Sequence, residues 1–119
     1  MSHDDSRLPR TLDRDVAAAV AETMQALSTP SRLLILDCLR RAPLPVGQLA
    51  ATVGMEQSAV SHQLRVLRHL GLVTGERRGR RVIYALHDPH VGDLLDEAVG
   101  HIEHLRQGGH TVEVLAEAS

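Results

Sequence analysis

The sequence predicts a mainly α fold with a β-hairpin wing, a winged helix-turn-helix that forms a homodimer. Three observations carry this. A short apolar helical stretch breaks at Gly54 before a second helix with one polar face; two β-prone runs rich in arginine follow it directly; and a long amphipathic helix closes the chain. At 119 residues there is room for one domain, and 43% hydrophobic residues allow a modest core. That core must be aliphatic, because the chain has no Phe or Trp and one Tyr, Tyr84. The shortage of large side chains makes burial between two copies an expected further source of stability.

Taken in order, residues 1–10 are polar and aperiodic, which predicts a flexible arm ahead of a domain spanning 11–107. The first helix is expected from near Thr11, with Leu12, Val16, Ala19, Val20, Met24 and Leu27 at helical spacing, and Ser28-Thr29-Pro30 as a stop and fresh start. A second helix runs through Arg32 to Arg41 and ends before Pro43 and Pro45. Val46 to Val53 reads as a short helix, and a stronger one starts at Glu56 or Gln57 and reaches about Leu70. On its helical wheel Val60, Leu64 and Leu67 share one side, Ser58, His62 and Arg65 the other, with Ser61 and Gln63 on the flanks. Residues 72–86 predict a hairpin whose tip is placed around Gly75-Glu76-Arg77-Arg78-Gly79. Asp88 as N-cap and Pro89 at the first helical position open the last helix, which is expected to stop near Gly108-Gly109, leaving 108–119 as a flexible tail.

The net charge of −2 hides a strong segregation. Residues 57–86 hold six arginines against one acid, Glu76, whereas residues 87–119 hold one arginine against seven acids. A local basic surface suits phosphate neutralisation, so double-stranded DNA is the expected partner, met by the polar face of the strong helix and by Arg77, Arg78 and Arg80 of the wing. The N-terminus lacks an apolar leader core, and no apolar run approaches the ~18 residues needed to cross a bilayer. A soluble cytoplasmic protein without membrane contact is the expectation. The one cysteine, Cys38, excludes an intramolecular disulfide and reads as a small core residue.

Five of the eight histidines follow residue 86, and Asp88, His90, His101 and His104 form a candidate metal set. His101 and His104 are three apart and share a helix face. His90 and His101 lie about 16 Å apart along a helix axis, so one helix cannot bring all four to one ion. Two such helices packed antiparallel across a two-fold axis bring the Asp88/His90 end of one to the His101/His104 end of the other. Three imidazoles and a carboxylate suit Zn(II), Co(II) or Ni(II). Extra ligands, for which His3 and His110 are candidates, favour six-coordinate Ni(II) or Co(II). Nothing in the pattern suggests a general base or a substrate pocket, so an enzyme is not expected.

The segments "LSTPSRLLILDCL", "LPVGQLAATVGMEQSAVSHQLRVLRHLGLV" and "GRRVIYAL" resemble the ArsR/SmtB family of metal-sensing winged-helix repressors over nearly all of residues 12–107. The resemblance implies that Gln57, Ser58, Ser61 and His62 face DNA. It also implies a metal site in the pattern Asp-x-His-x10-His-x2-(Glu or His), which Asp88, His90, His101 and His104 match, with His at the fourth place as in nickel and cobalt sensors. A histidine matching His101 would donate its free N–H to a carbonyl near Gly71. The family's alternative thiolate cluster is absent from VGQLAATVG, which argues against arsenic, lead or cadmium sensing. The resemblance thus implies a repressor released by Ni(II) or Co(II). The alternatives are Zn(II) on the same site, or a regulator or activator with a vestigial site that answers to a partner protein.

Overall fold

The computed structural model describes residues 11–108. The element order is α1 (Arg14–Ala26), α2 (Pro30–Arg41), β1 (Leu44–Pro45), α3 (Val46–Val53), α4 (Gln57–His69), β2 (Val73–Arg78), β3 (Arg81–Leu86) and α5 (Pro89–Gln107). The three strands form one antiparallel sheet in the order β1-β3-β2. This is the expected winged helix-turn-helix. The expected N-terminal arm and the tail beyond Gly108, with His3 and His110, lie outside the described residues.

Local chemistry accounts for most boundaries. Asp13 caps α1 by accepting the Val16 N–H at 2.8 Å, which starts the helix at Arg14 rather than at the expected Thr11 and leaves Leu12 ahead of it. Thr29 caps α2, with Pro30 in the first turn. Asp88 and Pro89 open α5 as the sequence predicts, the Asp88 carboxylate accepting the His90 N–H at 2.9 Å. After α4 the Gly71 N–H donates to the Arg68 carbonyl at 3.0 Å and the Leu72 N–H to the Leu67 carbonyl at 2.9 Å. That pair of bonds is a Schellman motif, and its hydrophobic contact is made by Leu67 and Leu72, both buried.

Two features of the sheet differ from the sequence expectation. The hairpin tip is at Gly79-Arg80, because Arg78 pairs with Arg81 and a two-residue connection needs a positive φ, which Gly79 supplies at 63°. Gly75 instead lies inside β2, where a Cβ would come within 3.1 Å of Tyr84 Cε1 and 3.2 Å of Arg68 Nη1. Strand β1 was not expected at all: Leu44 and Pro45 pair with Tyr84 and Ile83, an edge position that tolerates proline.

The core joins Ile35, Leu36 and Leu39 of α2, Leu49 and Ala50 of α3, and Val60, Leu64 and Leu67 of α4, with Leu72, Val73, Val91, Leu95 and Ala26 at its margins. Cys38 packs half-buried against it, as a small core residue would. α1 is different. Only Ala26 is buried, while Leu12, Val16, Val20 and Met24 are 40–59% exposed. Among the described residues no helix is long and apolar enough to cross a membrane.

The fully buried Leu36 gives the first test. Leu36→Ala is expected to lower unfolding free energy by about 2–5 kcal/mol in urea titration, through lost burial and a residual cavity.

Candidate functional site

The polar side of α4 stands clear of the protein because its opposite side, Val60, Leu64 and Leu67, is held in the core. Gln57, Ser58, His62 and Arg65 are exposed, and Ser61 and Gln63 are half-buried on the flanks, where the helical wheel puts them. The first turn of α4 has no side-chain cap from Glu56. Its outward N–H groups and the positive end of the helix dipole therefore favour an anion. Gln57 lines one cleft with Arg80 and Arg81 of the hairpin, and Ser61, Arg65, Arg68, His69 and Tyr84 line a second between α4 and the sheet. Hydrogen-bonding side chains thus lie between two groups of guanidinium cations, an arrangement suited to base edges flanked by phosphates.

Strand register divides the arginines of the wing. Arg77 pairs with Val82, on the face that carries Gly75 and Tyr84, while Arg78 and Arg81 face each other on the opposite side. Arg80 occupies the turn. Arg78 donates to Glu76 at 3.0 Å, both side chains 69% exposed, a surface pair weak enough to give way to a phosphate. Sequence reading passed over Arg68, Arg81 and Tyr84. Arg68 is in the last turn of α4 itself, whereas the nearness of Arg81 and Tyr84 to α4 comes from the hairpin register. Gln63 has a partner within the chain: its Oε1 accepts from Arg32 Nε at 2.6 Å.

The candidate metal ligands sit at the two ends of α5. Asp88 and His90 adjoin at its start, with His90 Nδ1 3.3 Å from Asp88 Oδ1. His101 and His104 are both exposed near its end. Among the described residues no three His, Cys, Asp or Glu side chains come close enough within one chain to hold a metal, as the length of the helix requires. His87, not counted as a ligand from sequence, bonds Asp88 Oδ2 through Nδ1 at 3.1 Å. That contact is the largest of the effects that hold the Asp88 carboxyl below the usual carboxylate range; desolvation, next in size, opposes it, and the His90 backbone N–H adds to the lowering. Asp88 is therefore an anion at neutral pH, and its two oxygens retain lone pairs beyond the capping bond. An exposed carboxylate with imidazoles and no thiolate is a donor set that fits a borderline divalent ion.

The segment after α4 meets the start of α5 through backbone: the His87 N–H donates to the Leu72 carbonyl at 3.0 Å. At the other side of α5, Asp96 forms an ion pair with Arg40 of α2, which also reaches Asp37.

Comparison with known proteins agrees with this geometry. Residues 29–74 match the family described as "Bacterial regulatory protein, arsR family". The chain is 65% identical over 97 residues to the HTH-type transcriptional regulator NmtR of Mycobacterium tuberculosis, covering 82% of this chain and 81% of that one. It is 44% identical over 95 residues to a transcriptional repressor SmtB homolog of Synechocystis sp., covering 80% and 72%. The solution structure of apo-NmtR superposes with a TM-score of 0.70 at 64% identity, over 83% of each chain. A homodimeric winged helix-turn-helix DNA-binding domain from Mycobacterium bovis gives 0.70 at 30% identity, over 87% of this chain and 96% of that one. With the helix-turn-helix matched and the fold shared at such identity, the chain belongs to the arsR family of bacterial regulatory proteins and is a helix-turn-helix transcriptional regulator, not an enzyme.

Proposed function

We propose that this regulator works in the cytoplasm as a homodimeric repressor, binds a roughly two-fold symmetric operator, and is released by Ni(II) or Co(II) held between its two α5 helices. The observation that carries the reading is the split ligand set: Asp88 and His90 at one end of a 19-residue helix, His101 and His104 at the other. Asp88 and His90 of one protomer with the partner's His101 and the partner's His104 complete four donors, twice per dimer. These residues would hold the ion, which would supply a cross-link between the two α5 helices. His3 and His110 would raise the donor number toward the six that nickel and cobalt favour; Zn(II), satisfied by four, is the alternative occupant.

The uncovered apolar surface supports the dimer. Leu12 just ahead of α1, Val16, Val20 and Met24 of α1, and Val99 of α5 are all exposed in the single chain. Full burial of one such side chain contributes about 1.5–3 kcal/mol. The names of the relatives, a homodimeric domain and a transcriptional repressor among them, support the same reading.

Signal transfer has a direct route in this chain. A displacement of the start of α5 acts on Leu72 through the His87 N–H, and Leu72 closes α4 through its bond to Leu67. Coupling of this kind is reciprocal, with typical free energies of about 1–3 kcal/mol.

Fluorescence anisotropy on the chain's own upstream DNA, with and without Ni(II), Co(II) and Zn(II), tests the reading. Operator affinity is expected to fall about 5–150-fold with nickel or cobalt. Indifference to all three metals would sink it in favour of a partner-responsive regulator. His101→Ala is expected to abolish the metal response and keep apo affinity; loss of both assigns His101 a structural role instead. Replacing Arg77 and Arg78 with Ala is expected to weaken binding to all sequences and lower the salt slope by about 1.8, the effect of two phosphate contacts. An unchanged slope removes the wing from the interface. Val20→Asp is expected to shift the protein from dimer to monomer in sedimentation, and an intact dimer would exclude α1 from the interface.

A further inference from the structure

We propose that Arg32 is a positioning residue for DNA recognition: one guanidinium holds Gln63 of α4 and the Ala26 carbonyl of α1, and so sets how α4 presents its reading face. The inference rests on the DNA-binding reading above and changes the part Gln63 plays in it.

Arg32 lies in the first turn of α2 and is half-buried between three helices. Its Nε–H donates to Gln63 Oε1 at 2.6 Å, a bond between side chains 31 residues apart. Its Nη1 donates to the Ala26 carbonyl at 3.3 Å. Ala26 ends α1, so that carbonyl has no acceptor role inside its own helix and suits a cationic donor at the negative end of the dipole. The rigid planar fork of arginine reaches both acceptors at once; the single point charge of lysine cannot.

Two consequences follow. Bidentate reading of adenine by glutamine needs the amide oxygen and nitrogen together. With Oε1 held at 2.6 Å by Arg32, the Gln63 amide is fixed toward α2 and is not free to turn both its oxygen and its nitrogen onto one base edge, and its flank position removes it further from the centre of the reading face. The second concerns α1, which buries only Ala26 against its own chain and leaves its apolar stripe in solvent. Arg32 therefore stands where the helix that a second copy would cover meets the helix that would read DNA. The opposite end of α2 is tied to α5 by the Arg40–Asp96 ion pair, so one helix carries fixed contacts to all three.

A double-substitution cycle decides the matter, read as the ratio of operator to unrelated-sequence affinity and as the salt slope. Arg32→Ala and Gln63→Met are each expected to lower the ratio about tenfold, and the double variant no further than Arg32→Ala alone. Salt slopes are expected to match the wild type. Losses that multiply in the double variant would mean that Gln63 reads a base independently, and a slope lowered by about one in Arg32→Ala would make Arg32 a phosphate contact. Either result overturns the proposal. Should Arg32→Ala fail to fold, Gln63→Glu serves: it keeps the acceptor for Arg32, so the preferred operator sequence is expected to stay the same. A base-reading residue would instead change its preference at one base pair, because a carboxylate only accepts. Wild-type protein that shows no preference for its own upstream DNA would fail the regulator reading itself. Wild-type preference with additive variants fails only the role given to Arg32.

Discussion

Val60, Leu64 and Leu67 of α4 share one aliphatic core with Ile35, Leu36 and Leu39 of α2 and Leu49 of α3, and the polar face of α4 and the wing are placed by that contact. With no Phe or Trp to fill volume, the core relies on aliphatic side chains meeting closely from several helices. Because α4 buries this stripe, its polar residues have one direction in which to point. Because Leu67 also closes the Schellman motif with Leu72, the same contact fixes where the hairpin departs. Recognition helix and wing are in this sense one rigid unit.

α2 links that unit to the remainder. Its apolar side supplies the centre of the core, while two arginines on its polar side reach outward, Arg32 to α1 and α4 and Arg40 to α5. Charge-assisted bonds of this kind contribute less to stability than the packing beneath them, but they are directional. They specify an angle between helices that aliphatic contacts alone would leave loosely defined. A small set of polar contacts on α2 thus controls how the outer helices sit against the reading head.

The outer helices are the incomplete part of the single chain. α1 exposes an apolar stripe, α5 exposes Val99, and the imidazoles on α5 stand at opposite ends of a helix too long to bring them together. A rigid helix cannot fold back on itself, so in the proposed mechanism its two ends meet across a symmetry axis. Apolar burial and ligand convergence place the same demand on a second copy, and this is why self-association and metal response belong to one surface in the proposed mechanism.

Much of this was legible in the sequence, for a physical reason. Helix boundaries depend on contacts three or four residues apart, so Thr29-Pro30, Gly54 and Asp88-Pro89 announce themselves within a short window, and the face of α4 follows from periodicity alone. The separation of the candidate ligands on α5 was likewise a matter of counting residues. What the tertiary structure alone decided depends on partners distant in the chain. The pairing of Leu44 and Pro45 with β3 and the bond from Arg32 to Gln63 join segments whose proximity no local pattern encodes, and the tip falls at Gly79-Arg80 because the whole β2–β3 register, from the pair Val73 and Leu86 to the pair Arg78 and Arg81, decides it. Sequence therefore determined which elements form and which chemistry they carry, because those are local properties. Packing determined which faces remain bare and which polar groups are already engaged, because only the assembled core brings their partners within reach.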